Sequence, residues 1–226
     1  AVILLIVFFR RERRLTRLQK DPLVDLRLFR VPSYAAGVLF ALAYFPAMAG
    51  LPLVLAIYYQ DGLGYTALQS GLGVTAYAIG SAIGAPLAGR FVTRIGRPLL
   101  LVGLASFAVG AIALAVLAGY GAVALAPALF LMGAGSGAII TPNQALSLMR
   151  IDPVAGSTAG GVLQTAQRIG IAIGQSVIGA TFFAALGRGG YAHALRVGVI
   201  AALAFLAIAA AITVADLIQT QRRIAA

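Results

Sequence analysis

Apolar stretches long enough to cross a bilayer recur along this chain, separated by short charged or Gly/Pro-containing connectors. The hydrocarbon core is roughly 30 Å thick and takes about 20 apolar helical residues to cross. With 61% hydrophobic and only 10% charged residues, and a mean hydropathy of +0.98, the chain carries more apolar surface than a soluble domain can hide. The expected fold class is an all-α membrane protein with six transmembrane helices, at about residues 34–59, 70–88, 99–120, 123–146, 157–186 and 191–215.

Composition removes several function classes. Without cysteine there are no disulfides and no thiolate metal sites. The single histidine, His193, builds neither a zinc cluster nor a histidine-based catalytic arrangement. The spans offer no paired carboxylates and no nucleophile–base pair, so the reading is not an enzyme and calls for no metal or cofactor.

The net charge of +11 gains meaning from its placement. Fourteen basic residues fall on one side of the six spans: Arg10, Arg11, Arg13, Arg14, Arg17, Lys20, Arg27 and Arg30 before the first, Arg90, Arg94 and Arg97 after the second, Arg150 after the fourth, and Arg222 and Arg223 after the sixth. Near the other side stand only Arg188 and Arg196. The positive-inside rule makes the fourteen-charge side cytoplasmic, with both ends of the sequence on it and the protein in the plasma (cytoplasmic) membrane. A distribution set by topology argues against a nucleic-acid partner. The connector before the first span mixes these charges with Leu15, Leu18, Leu23, Leu26, Leu28 and Phe29. That pattern suits an amphipathic segment on membrane lipids, and equally a plain basic loop.

Polar residues are unevenly shared among the spans. The third has Ser106 as its only interior polar side chain and the core of the sixth has none, which marks both as lipid-facing. The second carries Thr75, Tyr77 and Ser81. The fourth carries Ser136, Thr141, Asn143, Gln144 and Ser147, and the fifth Gln164, Thr165, Gln167, Arg168, Gln175 and Ser176. These three need protein or water on one side. Two three-helix units, each giving two helices to a central cavity and one to the periphery, have this form, and such 3+3 repeats mark transporters.

Arg168 is the sharpest anomaly. An ionisable side chain well inside a bilayer-length stretch costs several kcal/mol by most scales and faces protein or water. Gln164, Arg168 and Gln175 are 4 and 7 residues apart and, at about 100° per residue, form one stripe along a helix. The stripe is expected to line a cavity with Gln167, Asn143, Gln144 and Tyr77; the plainer alternative has Arg168 snorkelling or bonding a carbonyl. Gly156 with Gly160, and Gly170 with Gly174, form small-xxx-small pairs expected to pack against neighbouring helices. The same packing role is expected of Gly133 and Gly137 in GAGSGAIITPNQ, whose spacing is not that of a dinucleotide fingerprint.

The loop GRFVTRIGRP, with Gly89, Thr93, Arg94, Gly96 and Arg97, resembles the G-x-x-x-D-R-x-G-R-[RK] cytoplasmic signature of the major facilitator superfamily. Gly89, Arg94, Gly96 and Arg97 match, while Thr93 replaces the acidic residue and Pro98 the last basic one. PLVDLRLFR, GAGSGAIITP and AGSTAGGVLQTAQRIGIAIGQ, in this order, are similar to the C-terminal six-helix half of its fourteen-span drug:proton antiporters. The resemblance implies that residues 1–9, the run AVILLIVFF, are the truncated end of a preceding transmembrane helix. It makes 10–33 a basic cytoplasmic connector, 34–217 a six-helix half-domain and 218–226 a cytoplasmic tail. It further implies alternating access, with small-molecule drugs or other amphipathic compounds exported in exchange for protons. The acidic residues Glu12, Asp21, Asp25, Asp61, Asp152 and Asp216 all lie in connectors or at a span end. Protons are therefore expected to couple through the missing N-terminal half. A transporter of another solute and a non-transporting membrane scaffold are the alternatives.

Overall fold

The structure, a computed structural model, describes residues 26–225, with side chains from Arg27 to Gln221. The apolar run 1–9, most of the basic connector, and the side chains of Arg222 and Arg223 lie outside the described residues. After a 3₁₀ turn at Leu26–Arg30, the chain enters α1 (Pro32–Ile57), whose proline at the first position has no N–H to leave unsatisfied. It is buried on most sides and holds the fully buried Tyr34, Tyr44, Phe40 and Leu51. A π turn, Tyr58–Gly62, closes it, with Leu63 N–H donating to the Tyr58 carbonyl at 3.0 Å.

Thr66 then starts α2 (Ala67–Gly73) with a capping box. Its hydroxyl accepts from Gln69 N–H at 3.3 Å and its own N–H donates to Gln69 Oε1 at 2.9 Å. After Val74 the chain continues as α3 (Thr75–Ile95), so the second span is longer than expected from sequence. Gly96, at φ 65°, turns it into α4 (Pro98–Val116), and α5 (Ala122–Leu148) follows. The last helix, α6, runs Gly156–Ala225.

Five helical stretches are long and apolar enough to span a membrane, the last of them Pro153–Gln221. A straight helix the length of α6 would measure about 105 Å. Instead Gly190, at φ 73° and ψ −174°, breaks it. A Cβ added to Gly198 would lie 3.6 Å from Ile178 Cγ2, twenty positions away in sequence, so the helix doubles back on itself. Its arms, residues 156–189 and 191–225, supply the fifth and sixth crossings, and the all-α membrane class holds.

Glycines set how closely the helices approach. On α5, Gly133 and Gly137 face α3, where added side chains would overlap the backbone at Tyr77 and at Ser81–Ala85. Gly135, between them, faces α4, where a Cβ would lie 2.6 Å from Phe107 N. The alternation therefore serves two neighbours at once. Gly174 on the first arm rests on the backbone of Pro46, and a Cβ on Gly170 would lie 3.2 Å from the Ala41 carbonyl. Gly156 and Gly160 differ from expectation: added side chains there meet nothing within 4 Å. Here it is Ala159, between the two glycines, that meets α1: it is fully buried and its carbonyl accepts from Tyr34 Oη at 2.8 Å.

The two helices poor in polar groups, α4 and the second arm, pair with each other and turn apolar faces outward. Val102, Val109, Ile112 and Val116 are exposed on one, Ile200, Ile208 and Val214 on the other. Of the polar residues of α3, Tyr77 and Ser81 are half-buried toward α5 and Thr75 is exposed, as are Ile79, Ile83, Leu87 and Phe91.

In the full-length protein, Gly174→Ala is expected to lower stability by about 1–3 kcal/mol through overpacking against Pro46, and Gly156→Ala to leave it unchanged or slightly raised. Thermal melts in detergent measure both.

Candidate functional site

Two groups of polar residues stand out, one at the end of the bundle carrying the basic connectors and one halfway along the first arm of α6. At the basic end, the turn at Gly96 directs Arg97 inward. Its Nε pairs with the Asp216 carboxylate on the second arm, and its Nη2 donates to the Ser33 carbonyl at 2.6 Å in the first turn of α1. Both charged side chains are nearly covered, at 10% and 7% exposure. Burial pulls the Arg97 guanidinium below its ordinary value; the charge of Asp216 and the hydrogen bond to it oppose that, and Arg150 adds to it. A cavity of about 430 Å³ opens beside the pair, with Ser33, Arg150, Gln219 and Thr220 among its walls.

Of the loop motif, Gly96 makes the turn and Arg97 the bonds, whereas Gly89, Thr93 and Arg94 are exposed on α3. Sequence reasoning placed Asp216 at a span end and missed its partner. The available signal was topological: the loop and the end of the sixth span lie on the same side.

At the opposite end, Arg196 donates from Nε to the Ala115 carbonyl at 3.1 Å and from Nη2 to Ala118 at 3.0 Å, capping the C-terminus of α4. Tyr58 Oη accepts from Gly119 N–H at 2.9 Å and donates to the Tyr120 carbonyl at 3.3 Å.

Midway along the first arm, Gln164, Arg168 and Gln175 are exposed and Gln167 is half-buried. The buried side of this arm, Leu163, Ala166, Gly170, Gly174 and Ile178, lies against α1, and Tyr34 Oη donates to the Ala159 carbonyl at 2.8 Å. Because Gly170 meets Ala41 and Phe45, the stripe stands level with the middle of α1. Arg168 has no hydrogen bond or ion pair among the described residues.

The other residues expected with the stripe divide. Gln144 is exposed on α5. Tyr77 is half-buried, its hydroxyl close to those of Tyr44 and Ser136 where α1, α3 and α5 meet. Asn143, expected at a cavity wall, is 2% exposed and lies between α5 and α1. It donates from Nδ2 to the Gly37 carbonyl at 3.4 Å, and Ser147 donates to the Asn143 carbonyl at 2.6 Å. Among the described residues no group of three His, Asp or Glu side chains is placed to hold a metal ion.

The sequence model of the Major Facilitator Superfamily matches residues 1–175. The chain belongs to this superfamily. Relatives within it include a probable actinorhodin transporter from Streptomyces coelicolor, 32% identical over 189 residues, which cover 81% of this chain and 33% of the relative. The multidrug resistance protein Stp of Mycobacterium tuberculosis is 30% identical over 171 residues, covering 75% and 32%. The drug efflux pump JefA of the same organism is 28% identical over 188 residues, covering 83% and 36%. This facilitator chain thus spans about a third of the length of the curated relatives it matches, and it is an integral membrane protein.

The Arg97–Asp216 pair gives a direct test. Asp216→Asn in the full-length facilitator leaves a buried guanidinium without its counter-charge and is expected to destabilise by about 3 kcal/mol. The double variant Arg97→Met/Asp216→Asn, compared with Arg97→Met and Asp216→Asn alone, is expected to recover part of that loss. A double-mutant cycle of melting curves measures it, and coupling below about 0.5 kcal/mol would mean the pair contributes nothing.

Proposed function

We propose that this chain is the C-terminal six-helix half of a proton-coupled exporter of drugs or other amphipathic small molecules, working by alternating access in the plasma membrane. The observation that carries the reading is the stripe of Gln164, Arg168 and Gln175, exposed halfway along a helix of bilayer length. Polar and cationic groups at that depth call for a water-filled path or a second protein surface. A preceding half packed across this face encloses such a path. The relatives' names, efflux and resistance proteins among them, support the same activity.

Proton coupling is assigned to the preceding half. The acids of the described part, Asp61, Asp152 and Asp216, stand at span ends, and Asp216 is committed to Arg97. A coupling carboxylate must protonate inside the path. The basic end is assigned to the cytoplasm, where anionic lipids attract its arginines.

Inside-out vesicles carrying the full-length protein test the function. A fluorescent amphipathic dye is expected to be taken up on acidifying the lumen and to leak back when a protonophore collapses the gradient, whereas vesicles with residues 1–226 alone are expected to show no uptake. Transport by the 226-residue chain alone would place coupling within it and overturn the assignment.

Orientation is tested separately. This chain has no cysteine of its own. In a cysteine-free full-length background, a membrane-impermeant maleimide added to intact cells is expected to label Gln69→Cys and not Thr93→Cys. The reverse pattern would invert the topology.

A further inference from the structure

We propose that Arg168 is an anion-binding residue of the transport path, and that the exported solutes include amphipathic molecules bearing a carboxylate or comparable acidic group. This rests on the export reading above and narrows its substrate class.

Arg168 is exposed and unpaired among the described residues, level with the middle of α1. The described acids stand at the ends of the spans, and the one nearest a buried environment, Asp216, is held by Arg97. A guanidinium stays charged across the whole physiological range, so this chain's wall of the path is electropositive at that level. Facing the path without a partner from its own chain, it is free to take an anion.

The exposed face of this arm is two-sided. Along one edge run Gln164, Arg168 and Gln175, and the other edge presents Ile169 and Ile173. The small exposed residues Thr165, Ala172 and Ser176 lie between them. At 1.5 Å per residue the polar edge extends about 16 Å. An acidic amphipath matches both edges, its carboxylate on the guanidinium fork and its body on the isoleucines. The rival partner is a carboxylate side chain from the preceding half. One such side chain would satisfy Arg168 but would use neither the flanking amides nor the apolar edge, and the solute is favoured for that reason.

The full-length protein in inside-out vesicles is tested with three fluorescent probes that share a pyrene body and differ only in the tail: carboxylate, primary amide and ammonium. The wild type is expected to transport the carboxylate at least about tenfold more efficiently than the ammonium probe. Arg168→Gln is expected to reduce carboxylate transport about tenfold or more, the usual worth of a charge-assisted bond. Amide transport and expression are expected to stay unchanged, and Arg168→Lys to retain part of the carboxylate transport. Carboxylate transport unaffected by Arg168→Gln would overturn the proposal while leaving the export reading intact. So would an equal loss of all three probes at normal expression, the signature of a side-chain partner in the other half. A wild type that moves none of the three refutes the export reading and this proposal with it.

Discussion

Backbone proximity is the constraint on which the remainder of this structure depends. In hydrocarbon there is no solvent to drive helices together, so van der Waals contact between closely approaching backbones has to do it. Here α5 is held between α3 and α4 by three glycines at alternating positions, Gly133 and Gly137 toward one neighbour and Gly135 toward the other. The first arm of α6 meets α1 in the same manner, with Gly174 seated on Pro46. Pro46 has no N–H to complete the helical ladder, and the glycine opposite it lets the neighbouring helix close over the interruption.

Charge works at the borders of this packing. The second arm runs antiparallel to α4, and each end of the pair is fastened by an arginine: Arg196 to the carbonyls that end α4, and Arg97, just before α4 begins, to Asp216. Arg196 and Asp216 are twenty positions apart on one helix, about 30 Å, close to the thickness of the hydrocarbon core. The charged groups thus stand a bilayer's thickness apart, and the stretch between them is Ala, Val, Leu, Ile and Phe with only Gly198 and Thr213 besides. A helix that looks featureless in sequence is positioned by its ends.

The number of spans, their helical class and the breaks between them were legible because bilayer length and hydropathy are local properties of sequence. The superfamily was legible in the Gly96–Arg97 turn and in the glycine-rich segments. What escaped was pairwise. Asn143 reads as a cavity residue by polarity, yet it is spent on the Gly37 carbonyl, a partner 106 positions away. Tyr77 reads as a cavity residue as well, but the glycines of α5 draw that side of α3 inward. The pair Gly156 and Gly160 carries the same spacing as Gly170 and Gly174, yet added side chains there meet nothing within 4 Å, because spacing permits a close approach and the face turned to α1, here that of Ala159, decides where it happens. Arg168 stands out in the sequence for the converse reason: its oddity lies in the chain itself and needs no partner to be seen.

Arg97 is bonded at once to the first turn of the first described membrane helix and to the last turns of the final one. Mechanically this closes the chain of helices into a loop. An open succession of six rods can shear at any of its five joints, whereas one with its terminal members fastened has lost its loosest degree of freedom. Deformation at that end of the bundle is therefore shared among all the helices, and a displacement imposed on any one of them is passed to the whole unit. Such a bundle changes position more readily than it changes shape.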